Sequence, residues 1–188
     1  MSEKITIRDI AGFCPETAIW KMMADVCQFL MKDSHGYVLN PDSLIVDVDT
    51  FVVEDRPCPE SEFLAPEQDD GQSPSSEQMV WAIGATAYFM ATGHIVFGGH
   101  GGRYQREHPT VPLPVMPKAL QNLTPVLHKC LDYSPKSRVG LEELNTLAKN
   151  GWAFCSKRQR EKGKAGGEAS ICKERHQEEK WPEKMIEI

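Results

Sequence analysis

The sequence lacks any long hydrophobic run: no window approaches about 18 consecutive apolar residues, so no membrane-spanning helix is expected. Its first residues, MSEKITIRD, are charged within three positions and have no apolar core, which argues against a secretory signal. Paired metal ligands are missing too. The six cysteines (14, 27, 58, 130, 155 and 172) form no CxxC pair and the six histidines are scattered, so no metal site is expected. Cys27 and Cys130 fall on apolar helical faces, where a thiol acts as a small hydrophobe, and unpaired thiols suit a reducing cytoplasm. An excess of bases is absent. With 21 Lys and Arg against 27 Asp and Glu the formal charge is −6, which argues against a nucleic-acid partner.

What is present is an ordinary globular balance, 40% apolar and 26% charged over 188 residues, enough for one domain with a core and a tail. ITIRDI (5–10) alternates like a short strand or a lead-in segment. Pro15 suits the first position of a helix, and Ile19, Met22, Met23, Val26, Phe29 and Leu30 then recur at helical spacing, with Gly36 as a stop. LIV (44–46) and FVV (51–53), separated by DVDT, predict a hairpin with a four-residue connection. From 54 to 74 the chain is acidic and rich in proline, without material for a core.

Ser75 and Gln78 fit a capping box, and Met79 to Ala91 is apolar on almost every face before Gly93. A helix of that kind belongs at the centre of a helical domain, and thirteen residues reach only about 20 Å, short of a bilayer core. The segment GHIVFGGHGGRYQREHPTVPLP reads as a flexible Gly- and His-rich loop, stiffened later by proline. Its GGHGGR (98–103) lacks the spacing and strand–helix context of a phosphate loop, so no nucleotide cofactor is expected from it. Leu120, Leu123, Val126, Leu127, Cys130 and Leu131 mark one or two helices, with Pro125 opening the second. Leu141, Leu144 and Leu147 mark a last helix, stopped by Gly151. After Phe154 the apolar signal ends; a domain over 5–154 and a disordered charged tail over 155–188 are predicted. The bases of the tail, KRQREK, read as a solvated linker, a localisation signal or an acidic-lipid contact.

The order of these parts resembles the C-terminal lobe of protein kinases. LNPDSLIVD (39–47) resembles a catalytic loop and its hairpin, and FLAPEQ (63–68) the Ala-Pro-Glu that closes an activation segment. MVWAIGATAYFMATG (79–93) resembles the buried kinase helix that begins Asp-Val-Trp-Ser-Leu-Gly, and CLDYSPKSRVGLEEL (130–144) the block whose arginine pairs with the Ala-Pro-Glu carboxylate. The resemblance implies a mainly α fold with a small β-hairpin and no N-lobe. It also implies a buried ion pair between Glu67 and Arg138.

Phosphoryl transfer needs a base, a lysine on the phosphates and carboxylate or amide ligands for magnesium. At the matching positions stand Val38, Asn40 and Ser43; Asp55 is followed by Arg56 and Pro57 instead of Phe-Gly, and Met79 replaces the aspartate that opens the buried helix. Only about fifteen residues precede the first helix, so no N-lobe sheet with its lysine is expected. The chain is most similar in plan to the KIND domain, the kinase non-catalytic C-lobe domain of the Spire actin nucleators and certain tyrosine phosphatases. That resemblance implies a scaffold-like protein-binding module, with no cofactor and no catalytic residue. A basic segment of a partner protein is the expected ligand, drawn to Asp47, Asp49, Glu54, Asp55, Glu60, Glu62, Asp69 and Asp70. The alternative is a degenerate kinase relative or subunit that keeps nucleotide binding, or docks on an intact kinase or phosphatase.

Overall fold

The computed structural model describes residues 4–33, 35–56, 61–69 and 71–165. The fold is mainly helical with one two-stranded antiparallel sheet. Its centre is helix α3, Ser76–Thr92, whose Trp81, Ile83 and Met90 are fully buried. The sequence fixes both of its ends. Ser75 Oγ accepts the Gln78 N–H at 3.3 Å while Gln78 Oε1 accepts the Ser75 N–H at 2.8 Å. Gly93, at φ 73°, closes the other end in the left-handed conformation that glycine adopts without strain. Among the described residues no helix is long and apolar enough to cross a membrane.

Around α3 stand α1 (Ile7–Ile10), α2 (Glu16–Lys32), α4 (Gly101–Glu107), α5 (Thr124–Cys130) and α6 (Leu141–Ala165). The stripe read from the sequence is the inner face of α2: Ile19, Met22, Met23, Val26 and Leu30 are buried. Pro15 is its N-cap and not its first residue, and the helix ends at Lys32, before Gly36, where the Asp33 N–H still reaches the Phe29 carbonyl. Pro125 sits in the first turn of α5, where its missing N–H costs nothing. Cys27 and Cys130 are buried, and burial pushes the Cys27 thiol up to about 12.

Strands β1 (Leu44–Asp47) and β2 (Thr50–Val53) pair with Asp47 opposite Thr50. The connection is therefore the two residues Val48 and Asp49, because Asp47 and Thr50 join the ladder. The lead-in segment does not form a strand of its own: Thr6 bridges Ile45, the Val46 N–H reaches the Ile5 carbonyl at 2.9 Å, and α1 follows. That pairing covers β1, whereas Phe13 is 78% exposed and covers nothing. On the other edge, Asp25 of α2 accepts the Phe51 N–H at 3.1 Å.

Two expectations fail for the same reason, glycine used for close packing. The Gly/His segment contains α4, where a Cβ on Gly101 or Gly102 would collide with the carbonyl oxygens of Glu62 and Leu64. Gly151 does not stop α6; the helix runs through it, and its bare Cα faces the Trp20 ring of α2. The limit expected at 154 thus falls inside a helix, and residues 155–165 of the expected disordered tail are helical. Residues 166–188 lie outside the described residues.

Candidate functional site

The loop between α2 and β1 carries the positions where the resemblance places catalytic groups. The side chains of Asn40 and Ser43 are turned on the loop itself, whereas Asp42 accepts from Arg8 of α1 at 2.8 Å. Asn40 Oδ1 accepts the backbone N–H groups of Asp42 (2.8 Å) and Ser43 (3.1 Å). Ser43 Oγ accepts the Asn40 N–H at 3.0 Å and donates to the Asn40 carbonyl at 2.9 Å. Both residues are buried, so these bonds replace lost solvation. The Asn40 amide nitrogen is left without a partner.

Val38 and Met79 do come together. They line one narrow cleft with Tyr37, Leu39, Phe63, Gln68 and Gln78, which has no room for a water molecule. Where the resemblance calls for two carboxylates, the cleft offers a valine methyl and a thioether. The valine cannot take up a proton, and the thioether cannot accept backbone N–H groups as an aspartate there would. Asp55 is exposed and does not line the cleft, but its negative charge acts on Tyr37, which does.

Sequence reasoning missed the polar knot at the mouth of the cleft. Asp33 accepts from His35 Nδ1 at 2.5 Å and from the Tyr37 hydroxyl at 2.6 Å. The bonds from Tyr37 and then His35 hold the Asp33 carboxyl down at about 2, and the same carboxylate raises His35 and Tyr37. The pattern Asp-x-His-x-Tyr was visible, but only the turn that follows α2 brings the three heads together.

Arg138 is fully engaged. Its Nη1 and Nη2 meet Glu67 Oε1 and Oε2 at 2.6 and 2.8 Å, a two-pronged pair. The remaining donors go to the carbonyls of Asp132 (2.8 Å), Glu77 (3.0 Å) and Tyr133 (3.2 Å). All five guanidinium N–H groups are thereby used, and they tie the segment at 67 to the first turn of α3 and to the turn after α5. The pair is buried at one end only: the Arg138 side chain has 0% exposure and that of Glu67 has 29%.

The acidic residues do not act as one block. Glu54 is met by Lys4 and by Arg56 (2.9 Å), and Asp69 by Arg106 (3.3 Å), which also bonds the carbonyls of Pro66 and Gln68. Asp47 and Asp49 flank the hairpin tip, Asp55 follows β2, and Glu62 lies in a short 3₁₀ turn, Ser61–Phe63. These four have no ion-pair partner among the described residues. Glu60 and Asp70 lie outside the described residues. Among the described residues no group of three or more His, Cys, Asp or Glu could hold a metal ion.

No family model matches the chain. Over 88 residues it is 36% identical to the serine/threonine-protein kinase PkaB of Streptomyces coelicolor, a match that covers 45% of this chain and 20% of that kinase. The chain therefore spans about a fifth of the curated relative it matches. The similarity relates part of the chain to a protein kinase and carries nothing specific to KIND domains.

Proposed function

We propose that the chain is a non-catalytic protein-interaction module on a scaffold like the kinase C-lobe, and that it takes a basic segment of a partner protein. The observation that carries this reading is the use of Asn40 and Ser43: their side chains close their own loop instead of facing a substrate. The apolar pair Val38 and Met79 at the cleft supports it, since the resemblance calls there for the proton acceptor and for the aspartate that tethers the loop's backbone. For the ligand, Asp47, Asp49, Asp55 and Glu62 are the acids left free to meet a cation. Among the described residues Cys14, Cys27, Cys130 and Cys155 are buried and form no disulfide, which suits a module that works in the cytoplasm.

A titration of the chain with a labelled Lys/Arg-rich peptide, at low and high salt, tests this. Saturable binding that weakens as salt rises is expected, and no binding even at low salt refutes the reading. The similarity to a catalytic kinase favours a second reading, a kinase relative that still binds nucleotide or docks on an intact enzyme. ATP with magnesium at 100-fold excess over its dissociation constant would then stabilise the fold by about 2.7 kcal/mol. On the first reading the melting temperature does not move.

A further inference from the structure

We infer that the proline strip leading towards α5 is a second interaction surface, separate from the acidic residues above, and that it seats in the aromatic groove of a polyproline-reading domain with an acidic rim.

The strip is VPLPVMP, residues 111–117. Pro112, Pro114 and Pro117 each fix their own φ at about −65°. Each also pushes the residue before it, Val111, Leu113 or Met116, into extended backbone. Only Val115 is left to choose. The run belongs to no helix or strand, and Pro117 sits at φ −51° and ψ 149°, in the polyproline II region. A strip so restricted loses little freedom when a partner takes it.

Exposure along the strip repeats at every third residue. Pro112, Val115 and Lys118 are exposed, Val115 by 59%. Met116 is buried and Leu113 packs against the core, while Val111, Pro114 and Pro117 are half-buried. Three residues per turn is the polyproline II repeat, so the strip has three ridges. The ridge of Leu113 and Met116 lies on the domain. Two bonds from α5 fasten it there: Thr124 Oγ1 accepts the Met116 N–H at 3.2 Å, and His128 Nε2 donates to the Pro114 carbonyl at 3.1 Å. The other two ridges stay open, and all three prolines stand on them.

A groove that reads polyproline II takes two adjacent ridges in successive slots between aromatic rings, one turn or about 9 Å apart. Val111 with Pro112 suits one slot, and Pro114 with Val115 the next. The charge of the region fits the same partner. From His108 to Leu131 there is no Asp or Glu, whereas Lys118 and Lys129 are present. Lys118, just past the strip, has no ion-pair partner among the described residues. In a chain of net charge −6 this stretch selects an acidic rim.

Titration of the full chain against a panel of purified SH3 domains, whose aromatic grooves carry acidic rims, tests the assignment. Saturable binding by at least one domain is expected. Val115→Asp puts a carboxylate into a slot and should weaken that binding at least about tenfold. Lys118→Glu should weaken it too, more at about 50 mM than at about 500 mM salt. Both positions are exposed, so both variants should melt with the wild type; if Val115→Asp melts early, Lys118→Glu decides. Asp47→Lys with Asp49→Lys should leave the binding unchanged. No binding by any domain of the panel overturns the strip, as does binding that neither strip substitution weakens. Loss in the Asp47 and Asp49 variant assigns the domain to the acidic face and overturns it as well.

Discussion

The floor of this molecule and the loop above it use polar side chains in opposite ways. Beneath the cleft, Arg138 reaches across the chain to Glu67, Glu77, Asp132 and Tyr133, joining segments up to 71 residues apart. In the loop, the side chains of Asn40 and Ser43 bond only within the turn, to each other's backbone and to Asp42, no more than three residues away. Long-range bonds hold a fold, and short-range ones hold a local shape. The Asn40 and Ser43 side chains therefore shape the turn, while Asp42 beside them ties it to Arg8 of α1.

Four measurements sharpen or break that contrast. The largest effect belongs to the floor: Arg138→Ala leaves Glu67 and three carbonyls without their donor and should cost about 3–5 kcal/mol in urea unfolding. Glu67 is partly solvated, so Glu67→Gln should cost clearly less; equal losses would show that the pair alone, and not the carbonyl cage, matters. Next comes Gly84→Ala on α3, where a Cβ would lie 2.6 Å from that of Cys130, and overpacking by about 1–3 kcal/mol should lower the unfolding midpoint. Third, Asn40→Ala should cost about 1–2 kcal/mol through the lost turn bonds, without any change in the thermal response to ATP. A cost as large as that of Arg138→Ala would erase the distinction between floor and loop.

The smallest effect is a pH dependence at the mouth of the cleft. Asp33 titrates near 2 instead of 3.8 because it accepts from Tyr37 and His35, so its contribution is complete above 3.8 and disappears as pH falls through about 2. His35 is raised above 6.5 by Asp33, so its contribution is complete below 6.5 and is lost as pH rises through its raised value. NMR titration of the His35 ring should place its midpoint above 6.5, and Asp33→Asn should return it toward 6.5.

Much of the helical plan was legible because it follows from local chemistry. The Ser75–Gln78 box, the Gly93 stop and the all-apolar run from Met79 announced α3 and its central place. Short β-branched runs announced the hairpin, but its connection was read two residues too long, since Asp47 and Thr50 look like turn residues and pair as strand ends. Glycine misled twice. At 101 and 102 and at 151 it signals neither a flexible loop nor a helix stop, but contact with backbone carbonyls and a tryptophan ring. Of the candidate site, the identities at 38, 40, 43 and 79 could be read directly, whereas their involvement in a turn and a cleft could not.

By itself the sequence determined where α2, α3, α5 and the hairpin form, since caps, periodicity and β-branching act over a few neighbouring residues. Tertiary structure alone decided which charges remain free. Glu54 and Asp69 look no different from Asp47 and Asp49 along the chain, yet the first two are met by cations at least two and as many as 50 positions away. Coulomb attraction depends on distance in space, and only folding sets that distance.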